Sequence, residues 1–306
     1  MMHWISGGLS RLINYATSPS GFALLVVALG IVIALLLVNF PASVRVAGIT
    51  IAEARRRRVL HVALLLVVLI LVSSTFFTYM QPGEEAVMLI STGLATVLFF
   101  GMLLCIFVGA FLIPREVETR TIYSLLSKPI RRSEFVLGKY LGALAIVGSI
   151  VAVMGASLLL TLWLKAASGG GMGSRQAAML MSSLGSVAFC LVMYYLGLAV
   201  FTSLIIMVST VASTTMTVIS SILLWVAGML QGTIYNMAEH LAGPSHYFLK
   251  ALNFVLPHFE NFDFKRYLSQ GVPVQFDLVR GAVLHGICYA AVVLILAVIF
   301  FNDRQV

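Results

Sequence analysis

Stretches without Asp, Glu, Lys or Arg run for nineteen positions or more in this chain, and the charged residues are gathered between them. Seven runs stand out: Phe22 to Phe40, Val59 to Met80, Ala86 to Ile113, Tyr140 to Leu164, Ala177 to Val208, Val211 to Tyr235, and Gly281 to Phe301. At about 1.5 Å rise per residue, roughly 20 residues cross the ~30 Å of hydrocarbon in a bilayer, so each run is a candidate membrane helix. The uncharged stretch from Gln176 to Ala238 is too long for one helix, and the hydroxyl pair Ser209-Thr210 is where it is divided. The pattern predicts an all-α integral membrane protein, a polytopic helical bundle. No internal repeat is visible, and low complexity is confined to the SGGGMGS turn at Ser168 to Ser174.

Between the third and fourth runs lies a charged island, REVETRTIYSLLSKPIRRSEFVLGK, from Arg115 to Lys139. Glu116 and Glu118 fall where the first turn of a short helix would place them, against the positive end of its dipole. Ile122, Leu125 and Leu126 follow at helical spacing and form one apolar stripe. Lys128-Pro129 ends that helix, because the residue before a proline is pushed out of the α region. Ser133 is then placed to cap the next helix, which carries Phe135, Gly138, Lys139 and Gly142 into the membrane. Such a segment is either a connector lying on the membrane surface or a docking knob for a soluble partner.

Charge sets the orientation. With the island inside, the inner segments hold five, six, zero and one Lys or Arg, against seven on the longer outer segments. This obeys the positive-inside rule and places the C-terminus in the cytoplasm. Composition agrees with a membrane class: 60% hydrophobic, 10% charged, mean hydropathy +1.05, where soluble domains carry about 25% charged residues. The formal net charge of +8 is accounted for by orientation and calls for no nucleic-acid partner. A cleaved signal peptide at Phe22 to Phe40 would reverse this topology, throwing Arg55, Arg56, Arg57 and Arg58 outward. The run is therefore read as a retained span with the N-terminus outside, or as a re-entrant segment around Gly30.

Within the island, Glu118, Thr121, Leu125, Leu126, Lys128-Pro129, Arg132, Phe135 and Gly138-Lys139 follow E-x-x-T-x-x-x-LL-x-KP-x-x-R-x-x-F-x-x-GK. This resembles the coupling loop of type-2 ABC exporter permeases, the membrane subunits of ATP-binding-cassette transporters. TIAEARRRRVLHVALLL, Thr50 to Leu66, is similar to that family's amphipathic connecting helix and first span, with Glu53 and Arg55 to Arg58 on it. LPHFENFDF, Leu256 to Phe264, is similar to the outer loop before the last span in one branch. The resemblance implies six family spans after an added segment, 1–41, and a permease domain over 42–306. Within that domain it places a connecting helix at 42–58, a coupling loop at 115–139 and an outer loop at 236–279. It implies a cytosolic ATP-binding subunit docked on Glu116, Glu118, Thr121, Ile122, Leu125, Leu126, Lys128, Pro129 and Arg132. It also implies a second permease subunit, identical or not, ATP and Mg held by the partner rather than this chain, and a bacterial-type inner membrane. The outer loop would form short re-entrant helices closing the path, with Asp263 and Lys265-Arg266 at headgroup level and the aromatics Tyr247 to Tyr267 as an interfacial belt.

What the chain lacks narrows the mechanism. None of the seven runs contains Asp, Glu, Lys or Arg, whereas ion-coupled carriers place ionisable groups inside their spans. His61 and His285 lie near run ends and read as interfacial or helix-contact groups. No G-x-x-x-x-G-K-[ST] loop is present, since Gly138-Lys139 has the wrong upstream spacing and is followed by Tyr140. The chain is therefore not itself an enzyme. Cys105, Cys190 and Cys288 are far apart in apolar runs and suit packing, not metal or redox chemistry. No hydrolase motif appears. Thr202, Ser203, Ser209, Ser213, Thr214 and Thr217 gather where runs five and six meet, either packing helices closely or lining a pathway. The expected function is export of an amphipathic or lipid-like substrate driven by a separate ATPase. The competing expectation is a non-transporting subunit passing ATPase strokes to extracytoplasmic partners.

Overall fold

The computed structural model describes residues 41–56, 65, 67–70, 85–110, 112, 131–168, 174–233, 257–265 and 276–303. Most of these residues fall in α1 (Pro41–Arg56), α2 (Glu85–Ala110), α3 (Arg132–Ser168), α4 (Ser174–Val211), α5 (Thr214–Met229), the 3₁₀ helix Phe259–Phe262, and α6 (Phe276–Asp303), and 65, 67–70 and 231–233 are helical as well. No strand occurs among the described residues. Among the described residues four helices are long and apolar enough to cross a bilayer: Ala86–Ala110, Arg132–Ala167, Gln176–Val211 and Leu278–Asn302. The expected runs at 22–40 and most of 59–80 lie outside the described residues.

Two expected boundaries move, each for a local reason. The helix that carries the fourth apolar run, expected to follow a cap at Ser133, begins at Arg132. The Glu134 carboxylate accepts the Arg131 backbone N–H at 3.0 Å, while the Arg131 carbonyl accepts the Phe135 N–H at 3.1 Å. Arg131 is thus the capping position and Glu134 the acid that reaches back three residues to it. Ser133, expected as the cap, sits inside the first turn. The second shift is the break between spans five and six, expected at Ser209-Thr210 and found at Ala212-Ser213. Ser209 and Thr210 donate their hydroxyls to the Ile206 and Met207 carbonyls, both at 2.7 Å, so they ride within α4 instead of ending it. Ser213 is extended (φ −72°, ψ 166°) and starts α5. That helix has 16 residues before the chain bends at Leu230, fewer than the expected run from Val211 to Tyr235.

α3 and α4 form an antiparallel centre. The Tyr140 hydroxyl donates to the Ala199 carbonyl at 3.3 Å, and that of Tyr195 to Leu144 at 3.2 Å, as one helix ascends and the other descends. α2 packs on both, α1 lies along α3, α6 lies along α4, and α5 bridges α2 and α4. Lipid tails are as apolar as leucine, so this bundle is held by close packing rather than by escape from water. Leu94, Val97, Met154, Leu158, Val187, Phe201 and Ala297 are fully buried in it. The most apolar stretch of α4 is 72% buried and that of α6 only 28%. Leu284, Ile287, Val292, Ile295 and Ile299 accordingly form an outward, lipid-suited face on α6.

Candidate functional site

The segment that emerges from the charged loop is built into a three-helix clamp. α1 opens on Pro41, whose fixed φ suits a first helical position. It buries Ser43, Val46, Ala47, Thr50 and Ala54, one face at helical spacing, and exposes Val44, Arg45 and Ile49. That face meets α3 at two glycines four residues apart. A Cβ on Gly138 would lie 2.7 Å from Val46 Cβ and 2.8 Å from the Ser43 carbonyl oxygen. A Cβ on Gly142 would lie 2.7 Å from Thr50 Cβ and 3.2 Å from Ala47 Cα. Ser43 Oγ completes the contact by donating to the Glu134 carbonyl at 3.1 Å.

The same turn of α3 holds the end of α6. Arg132 Nη1 donates to the Asn302 carbonyl at 2.9 Å, and Phe135 stacks on Phe301 with centroids 5.5 Å apart and planes at 21°. Cations near a helix C-terminus are favoured by its dipole, so Arg132 suits this place. Lys139 is 1% exposed, with its ammonium 5.7 Å from the Phe135 ring centroid. Of the expected docking residues, Arg132 is therefore in the clamp. Glu116, Glu118, Thr121, Ile122, Leu125, Leu126, Lys128 and Pro129 lie outside the described residues, as do Arg57 and Arg58. Arg55 and Arg56 close α1, and Glu53 is exposed on it.

The hydroxyl group at the α4–α5 junction divides in two. Thr202, Ser203, Ser209 and Thr217 are fully buried and donate to carbonyls three or four residues back, at 2.7 to 2.9 Å. Thr202 also contacts Cys105 Sγ at 3.6 Å. Within this chain that is the geometry of close helix packing. Ser213 is exposed and Thr214 half-exposed at the turn itself.

At the middle of the bundle the outer loop enters as an aromatic wedge. Phe262 lies between α4 and α6: a Cβ on Gly197 would meet Phe262 Cβ at 3.2 Å, and one on Gly286 would meet its ring tip at 2.8 Å. Phe259 fills the space beside α5, where a Cβ on Gly228 would lie 2.5 Å from the ring, and its edge meets Phe201 with centroids 5.5 Å apart. Three glycines on three helices thus form the socket. Tyr194, near the middle of α4, donates to Asp263 Oδ1 at 2.9 Å, and the Lys265 backbone N–H donates to the same oxygen at 3.1 Å. Asp263 therefore pairs with a residue near the middle of α4. The loop brings into the bundle an acid that no apolar run contains. Beside it His258 meets His285 edge-to-face at 5.0 Å, so His285 makes an internal helix–loop contact. Cys105 and Cys190 are buried, whereas Cys288 is exposed on α6.

Sequence reading missed the clamp partners Ser43, Val46 and Thr50, and the socket glycines. The Gly138-x-x-x-Gly142 spacing was a legible signal for the first. Nothing local marks Gly197, Gly228 and Gly286, since their partner is brought in from a distant loop. No cluster of three or more metal-ligating side chains occurs among the described residues.

Long apolar helices, an amphipathic helix clamped to the start of a span, and a loop wedged between spans define a multi-pass α-helical membrane protein. The model of the ABC-2 family transporter protein matches residues 44–304, and the chain belongs to that family. It is a transmembrane protein of ABC transporter type. A search of curated proteins finds no match.

Proposed function

We propose that this chain is the membrane subunit of an ABC exporter, driven by a separate cytosolic ATP-binding subunit that holds ATP and Mg. The clamp supports this reading above all. Any force applied to the 115–139 loop reaches Arg132 and Gly138 first, and through them α1 and the end of α6. A loop so tied moves three helices together instead of swinging alone. The wedge of Phe259 and Phe262 closes the path from the opposite side and withdraws when the helices separate. Two such subunits form the transporter, and the switch between inward and outward states follows the differential contacts of the ATP-bound and ATP-free partner. The substrate is amphipathic or lipid-like.

The test is co-purification. Purified alone, the chain is expected to hydrolyse no ATP; with its ATP-binding subunit the complex hydrolyses it. Leu125→Asp is expected to lose the partner at unchanged expression, because an unpaired carboxylate in an apolar groove costs several kcal/mol. Ser124→Asp, on the face opposite the apolar stripe, should retain it. Retention of the partner by Leu125→Asp at the unmutated level would make the loop a mere connector.

Orientation has its own check. Ser127→Cys, in a background freed of the native cysteines, should resist an impermeant maleimide in intact cells and react once the membrane is opened. Labelling in intact cells would reverse the topology drawn from the positive-inside bias.

A further inference from the structure

An open groove of about 420 Å³ lies between α2 and the loop wedge, lined by Ser91, Thr92, Ala95, Thr96, Phe99, Phe100 and Lys265. We propose that it binds the head and upper tail of an anionic amphiphile, a phosphate or carboxylate on a hydrocarbon chain. This deepens the exporter reading above, on which its role as a substrate site rests.

Three observations converge. The first is Lys265, a half-buried cation that the wedge carries to the flank of a membrane-spanning helix. The neighbouring Asp263 accepts at Oδ1 from the Tyr194 hydroxyl and from the Lys265 backbone N–H. Among the described residues no ion pair is formed by the Lys265 ammonium. A lysine at such a place is expensive unless an anion comes to it, and intramembrane cations mark ligand paths. Lysine also recognises phosphate as a point charge, with no need of fixed fork geometry.

The second is the row of hydroxyls. Ser91 Oγ donates to the Met88 carbonyl at 3.1 Å and Thr96 Oγ1 to the Thr92 carbonyl at 2.8 Å. Both bonds are to the helix's own backbone, and each hydroxyl can turn to a ligand oxygen while the carbonyl keeps its helical partner. The third is the floor. Phe99 and Phe100 pack edge-to-face with centroids 5.3 Å apart, and Phe99 is held by Trp225 of α5, also at 5.3 Å. An aromatic floor beside a cation and hydroxyls matches a molecule that is charged at one end and apolar along its length. The volume is in the range of small-molecule sites, about 300–1,000 Å³, and the open side leaves a long tail free to run into lipid.

Binding is measured on the full chain in nanodiscs of zwitterionic lipid, without the ATP-binding subunit or nucleotide. The probes are hexadecyl phosphate, hexadecylphosphocholine, hexadecanol and inorganic phosphate, with phosphatidic acid doped into the disc as the membrane source. Hexadecyl phosphate and phosphatidic acid are expected to bind, and the other three to bind at least about tenfold more weakly. Lys265→Gln should weaken hexadecyl phosphate roughly tenfold, the loss expected for one charge-assisted contact, and Lys265→Arg should restore most of it. Phe99→Ala should weaken hexadecyl phosphate and leave the faint inorganic phosphate signal unchanged. Unaltered binding in a folded Lys265→Gln protein would overturn the site. Equal binding of hexadecylphosphocholine would overturn the anion selectivity, and equal binding of inorganic phosphate the need for a tail. If the site holds but hexadecyl phosphate leaves ATP hydrolysis by the assembled complex unchanged, its role as a substrate site fails while the binding site stands; a complex that never forms with an ATP-binding subunit sinks the exporter reading instead.

Discussion

Gly138→Val is expected to undock α1 from α3, lower the unfolding temperature in detergent and abolish ATP hydrolysis by the assembled complex. The first added carbon already falls 2.8 Å from the Ser43 carbonyl oxygen and 2.7 Å from Val46 Cβ. Neither is the far end of a flexible side chain, so a rotamer change relieves nothing. The helices must part, and the Ser43–Glu134 bond at 3.1 Å goes with them. Overpacking of this kind costs about 1–3 kcal/mol per site, and valine adds two further methyl groups to the clash. Gly142→Val meets Thr50 and Ala47 in the same way. Gly48, on the exposed side of α1 with nothing within 4 Å of its would-be Cβ, is the control. Gly48→Ala should be neutral or slightly stabilising, because alanine favours a helix over glycine by about 1 kcal/mol. Thermal unfolding monitored by size exclusion separates the two. An unchanged midpoint in Gly138→Val would mean that α1 is not seated on α3, and the force path from the loop would have to be redrawn.

The clamp also marks how far the sequence could be read. Four long helices were legible because a run free of charge has few alternatives to a membrane helix. The start of α3 was legible to within two residues from its capping pattern, although Arg132, Glu134 and Lys139 look like loop residues when counted as charges. In place, Glu134 caps the helix, Arg132 holds the end of α6, and Lys139 is buried beside Phe135. What counting charges does not show is the cap itself, expected at Ser133 and found at Arg131, two residues earlier. The α4–α5 junction shows the same limit. A hydroxyl is a helix breaker or a helix rider according to whether its own backbone takes its hydrogen bond, and composition does not say which. Asp263 shows a larger one. Scanning spans for acids finds none, yet the loop delivers a carboxylate to Tyr194 at 2.9 Å. Depth in a bundle is a tertiary property, and a re-entrant loop can reach it from any point in the chain.

The socket around Phe262 supplies the second large effect, and its test is a pair of substitutions rather than one. Phe262 is 3% exposed, its Cβ end facing Gly197 and its ring tip facing Gly286. Gly286→Ala puts a carbon 2.8 Å from the tip, and the ring cannot slide back because its other end would meet Gly197, where a Cβ is already 3.2 Å away. The cost expected is about 1–3 kcal/mol from overpacking. Phe262→Ala errs the other way, leaving a cavity worth about 3–5 kcal/mol between α4 and α6. Phe262→Leu removes the ring tip while keeping most of the fill, so it should be milder alone and should absorb the new methyl in the Gly286→Ala background. The double variant Gly286→Ala/Phe262→Leu is expected to be more stable than the sum of its parts by at least about 1 kcal/mol, within the range for residues in direct contact. Wedge and helices are then one packed unit, and a wedge that withdraws must do so with α4 and α6 moving apart. Strict additivity in unfolding midpoints would show that the ring is not held between the two helices, and the gate would have to be sought elsewhere in the outer loop.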